Sequence, residues 1–131
     1  MIVLDASAAL ELLLNTTIGA KVADNIFAND ETLHAPHLVD LEIAQVLRRF
    51  VLKGQIEEER ALEVFDDFTD LGVTRYPHQM LLSRIWSLKD NVTAYDAAYL
   101  SLAVELDARV VTCDAALKTV PGFKSRVAVI G

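Results

Sequence analysis

With 131 residues, 53% of them hydrophobic, the chain suits a single domain over 1–131 with a real core, and its composition excludes disorder. The 19 acids against 12 bases give a net charge of −7, which argues against a general phosphate-backbone binder unless bound cations reverse the field locally. A lone cysteine excludes an internal disulfide and a cysteine metal motif. No run approaches the ~18–20 apolar residues of a membrane span, and MIVLD lacks a basic leader, so a soluble cytoplasmic protein is expected.

Residues 1–4 read as a short buried strand ending at Asp5. Helices follow over Ser7 to Leu14 and Ile18 to Phe27, and 32–35 suits a second strand. Pro36 precedes a long helical pattern, His37 to Lys53, closed by Gly54. The next helix, 56–69, crowds Glu57, Glu58 and Glu59 at its start, where the helix dipole favours them. A strand over 72–76 leads to Pro77 and a helix ending near Lys89. Another helix, containing Asp96, runs to about Asp107. RVVT (109–112) is a strand, CDAAL a short helical turn, and RVAVI (126–130) a last strand. Short apolar strands alternating with helices predict an α/β domain with a largely parallel sheet. Such sheets place ligand sites beyond the carboxyl ends of their strands, which puts Asp5 and Asp114 at one edge.

Four acids are candidates for that edge. Asp5 and Asp114 each have a plain alternative as helix caps. Asp96 follows Thr93 by three residues and could complete a capping box worth roughly 1 kcal/mol. Glu42 resists that reading. It lies about one and a half turns into its helix, between Leu38 and Val39 on one side and Val46 on the other. A carboxylate in an apolar stripe needs a cation or a partner, and Arg49, about two turns away, is a mediocre one. Several carboxylates without cysteine or histidine suit one or two Mg²⁺ or Mn²⁺ ions, which activate water and offset charge on a phosphodiester.

Other polar residues weigh less. Ser7 and Thr112 flank Asp5 and Asp114 and either support them or serve as ordinary helix-start and strand residues. The three histidines, His34, His37 and His78, have no metal spacing and suit loops or helix starts. Cys113 reads as a small core residue. Trp86 suits packing or a subunit contact, and Arg84 either reaches substrate or neutralises a carboxylate. Arg48, Arg49 and Lys53, with Lys89 and Lys118, form either a solvated rim or phosphate contacts.

MIVLDASAAL, APHLVDLEIAQVLRR, VTAYDAAYLSLA and VVTCDAAL resemble, in order, the four acidic motifs of the PIN domain family and its VapC toxin branch. The resemblance puts the metal-binding acids at Asp5, Glu42, Asp96 and Asp114, with Ser7, Thr93 and Thr112 as polar companions. It implies a three-layer α/β/α sandwich with about five mainly parallel strands. It also implies a Mg²⁺- or Mn²⁺-dependent endoribonuclease with an RNA substrate, a homodimer, and a cognate antitoxin partner of a type II toxin–antitoxin pair. Two other readings stand beside it. One is a different phosphoryl hydrolase or a phospho-accepting domain, weakened by Ser7 standing where a second carboxylate is wanted. The other is an acidic interaction module, which has no need of Glu42 in an apolar stripe.

Overall fold

The computed structural model describes residues 1–131. In chain order the elements are β1 (Ile2–Leu4), α1 (Ala6–Leu13), α2 (Thr17–Ile26), β2 (Leu33–Pro36), α3 (Leu38–Leu52), α4 (Glu58–Asp70), β3 (Thr74–Tyr76), α5 (Leu82–Ser87), α6 (Ala94–Leu106), β4 (Arg109–Thr112) and β5 (Val127–Val129). Every strand pairing is parallel, in a 5-stranded sheet ordered β3-β2-β1-β4-β5. β1, entirely buried, is the central strand, which is why IVL carries no polar residue.

Parallel neighbours need crossovers, and right-handed ones place α1–α4 on one face and α5–α6 on the other. The packing agrees: α1 meets α2, α3 and α4, while α6 meets α5 and strands β1, β2 and β4. The result is the expected α/β/α sandwich. From β1 the chain leaves towards β2 on one side, and β4 flanks it on the other. The strand order therefore switches between β1 and β4, where Leu4 pairs with Val111.

Local chemistry explains the helix boundaries. Asp5 caps α1 and Thr16 caps α2, each accepting a backbone amide three residues on, from Ala8 and Gly19. Gly19 has a second role. A Cβ there would sit 2.0 Å from the Glu11 carbonyl oxygen, so α2 packs against α1 only because that side chain is missing.

Several expectations need correction. The segment after Pro77 is a 3-10 turn, Gln79–Leu81, followed by the six-residue α5 ending at Ser87, not one helix to Lys89. Core packing does not hold Trp86, which is 69% exposed with the Lys89 ammonium over its ring. His34 lies in β2, buried, where its ring nitrogens bond Thr32 and Tyr76 at 2.7 Å each. Burial pushes its pKa down. No helix is long and apolar enough to cross a membrane.

Candidate functional site

Asp5, at the carboxyl end of β1, is a buried carboxylate. Its Oδ1 accepts from Ser7 Oγ at 2.7 Å and from the Ala8 amide at 3.0 Å, and its Oδ2 from Thr112 Oγ1 at 2.5 Å. Both hydroxyl protons are thus committed to Asp5. The two hydroxyl oxygens in turn accept amides of the next segment, Cys113 to Ser7 at 3.0 Å and Asp114 to Thr112 at 2.9 Å. The ends of β1 and β4 are locked together through one carboxylate.

Asp114 leaves β4 at that edge, exposed, and its Oδ1 caps the turn Ala115–Thr119 through the Ala116 amide. Asp96 lies half-buried in the first turn of α6, where its amide donates to Thr93 Oγ1 at 3.2 Å. Its carboxylate accepts nothing from the Thr93 amide, so the return bond of a capping box does not form, although the neighbouring Thr93 hydroxyl offsets part of the rise that burial gives its pKa. Glu42 is half-buried on α3, and no ion pair joins it to Arg49. Its partner is Tyr99 of α6, whose hydroxyl donates to Oε1 at 2.6 Å.

All four carboxylates line one cavity of about 510 Å³, together with Ser7, Tyr99 and, on its α3 wall, Leu41, Gln45 and Arg49. None of the four makes a salt bridge. Burial raises the pKa of Asp5 against the pull of its hydrogen bonds, and Asp114 adds to the rise. Burial likewise raises Glu42, with Asp96 and Asp5 contributing, and raises Asp96, with Asp114 and Asp5 contributing. Negative charge is therefore concentrated here, and Arg49, the one base on the wall, is paired with none of the four. No three acid, histidine or cysteine side chains are drawn closely enough together to form a ready-made metal cage.

The polar companions divide. Ser7 and Thr112 touch Asp5 directly, whereas Thr93 acts on the α6 backbone and does not line the cavity. Arg49 is on the wall, but Arg84 lines a separate depression with Met80, Ser83, Ser87 and Glu105. Cys113 is half-buried, and its thiol is pushed up to about 11, by burial first and then by Asp5 and Glu11. It is no nucleophile at neutral pH. Tyr99 was not singled out from the sequence. The signal was its spacing of three residues from Asp96, which puts both on one face.

The family model for the PIN domain matches residues 2–122, and the chain belongs to the PIN domain family. It is closely related to the VapC ribonucleases. Ribonuclease VapC9 of Mycobacterium tuberculosis is 44% identical over 114 residues, spanning 87% of this chain and 86% of that one. Ribonuclease VapC12 of the same organism is 37% identical over 130 residues, 99% of each chain. Two crystal structures share the fold. PAE2754 from Pyrobaculum aerophilum superposes with a TM-score of 0.71 at 22% identity, covering 96% of this chain and 81% of that one. VapBC2 from Rickettsia felis, bound to a DNA fragment from its promoter, gives 0.72 at 14% identity over 100% of both chains.

Proposed function

We propose that this chain is a divalent-cation-dependent endoribonuclease, the toxin of a type II toxin–antitoxin pair. The observation that carries the reading is a single cavity lined by four carboxylates, none of them ion-paired. The donor set fits Mg²⁺ or Mn²⁺, being all hard oxygen with no thiolate or imidazole among the cavity residues. Asp5, Glu42, Asp96 and Asp114 would hold the ion. When bound, it supplies Lewis acidity, making water a nucleophile and offsetting charge on a phosphodiester.

The chain's own part is positioning. Ser7, Thr112 and the Ala8 amide fix the Asp5 carboxylate and favour its ionised form against burial. Tyr99 orients Glu42, and the first turn of α6 delivers Asp96. Arg49, exposed on the α3 wall without an acidic partner, suits a phosphate contact on the approaching strand. Asp5 is ill placed as a covalent phosphate acceptor, since both its oxygens are engaged and buried. The names of the VapC relatives support the ribonuclease reading, and the VapBC2 assembly supports a partner protein.

The test is direct. Purified protein, freed of any bound partner, is incubated with a mixed RNA pool with and without Mn²⁺, and new ends are mapped. Defined, Mn²⁺-dependent ends that disappear in Asp5→Asn support the proposal. Equal cleavage by that variant, or no cation-dependent ends at all, would refute it.

A further inference from the structure

Tyr99 is 1% exposed, deep in α6, and a buried phenol must find a partner for its hydroxyl. It finds one 57 positions away, in the Glu42 carboxylate on the opposite helix layer. The bond therefore passes over the sheet edge, from α6 to α3, rather than along either helix. A tyrosine hydroxyl keeps its proton at neutral pH, so Tyr99 is the donor in this bond. Only Oε1 of Glu42 is engaged; Oε2 accepts nothing from the protein, and the residue lines the cavity.

A glutamate side chain on a helix has three rotatable torsions and would ordinarily sample many orientations. Here one oxygen is pinned at 2.6 Å by a ring that the core immobilises. We infer that Tyr99 is a positioning residue, whose hydroxyl holds Oε1 of Glu42 so that Oε2 is presented to the cation. The inference rests on the cation-site reading above. It makes α6 a double contributor, supplying the Asp96 carboxylate and, one turn later, the group that aims the carboxylate of α3.

The test is a double-mutant cycle read by Mn²⁺ affinity in calorimetry, beside thermal unfolding without metal. Tyr99→Phe keeps the ring and removes only the hydroxyl. It is expected to fold and to bind Mn²⁺ about ten-fold more weakly, the lower range for loss of a partner that orients a metal ligand. Glu42→Gln is expected to weaken binding by itself, and Tyr99→Phe to add nothing in the Glu42→Gln background. Parent-like affinity in Tyr99→Phe, or an equal loss in both backgrounds, would overturn the role of Tyr99 while leaving the cation site standing. Absence of Mn²⁺ binding in the parent would remove both. A second measurement needs no Tyr99 variant: Mg²⁺ is expected to shift the Tyr99 ring resonances of the parent but not those of Glu42→Gln. Unmoved resonances in the parent would also count against the inference.

Discussion

Asp96 shows how one residue answers to two accounts. The amide of this residue is bonded by Thr93, yet its carboxylate does not reach back to the Thr93 amide and lies among other acids. Asp96→Asn (D96N) should therefore fold with nearly the parent Tm, because the Thr93 cap bonds the backbone and survives. It should lose nearly all Mn²⁺-dependent RNA cleavage and bind Mn²⁺ more weakly, because an amide replaces the charge a hard cation needs. Full activity with parent affinity would return Asp96 to a simple helix position. The raised pKa values of Asp5, Glu42 and Asp96 give a second prediction. Their contribution to stability is fully present below the ordinary carboxylate values, 3.8 for Asp and 4.5 for Glu, and is lost as pH rises through the higher folded-state values. At neutral pH the metal-free protein thus carries carboxylates that are desolvated first and mutually repelling second. Saturating Mn²⁺ should raise Tm more at pH 7.5 than at about pH 5, where protons compete for the same oxygens. A Tm gain independent of pH, followed by scanning calorimetry, would contradict this.

At the scale of elements, the sequence was most legible where the signal was local. The apolar run IVL and the β-branched run VVT marked β1 and β4, and the acids after them fell at the strand ends as expected. Glu42 stood out because its helix position could not be explained by capping. The Tyr99 bond was not legible, since its partner lies 57 residues away and no periodicity encodes it. Nor was the break before α5: Pro77 announces a helix start, but a 3-10 turn intervenes, and the six-residue helix leaves Met80, Leu82 and Trp86 outside. Gly19 was equally silent, because its importance lies in the approach of a neighbouring helix. Gly19→Ala would improve helix propensity, yet its Cβ would meet the Glu11 carbonyl, a backbone atom that cannot step aside. The substitution should cost about 2 kcal/mol by urea denaturation, within the usual range for overpacking. A stabilised variant would show that α1 and α2 part freely.

For the whole molecule, exposed apolar surface is the feature that the isolated chain does not account for. Leu62 (58%) on α4 and Met80 (71%), Leu82 (54%) and Trp86 (69%) around α5 are open to solvent. The segments 56–69 and 78–89 thus keep apolar side chains available for pairing. A homodimer is the expected state, and light scattering across the micromolar range should give twice the chain mass; one chain mass throughout would exclude it. A different consequence follows from the lock between β1 and β4. Asp5 takes its place at the end of the central strand, but the hydroxyl that holds its Oδ2 arrives 107 residues later. During synthesis the amino-terminal half emerges with Asp5 and Glu42 in hand and no β4 to close the edge. The four-acid cavity therefore cannot assemble on a half-made chain. It comes into being only when β4 and the turn that carries Asp114 are delivered, so a chain stopped short of them has no such site.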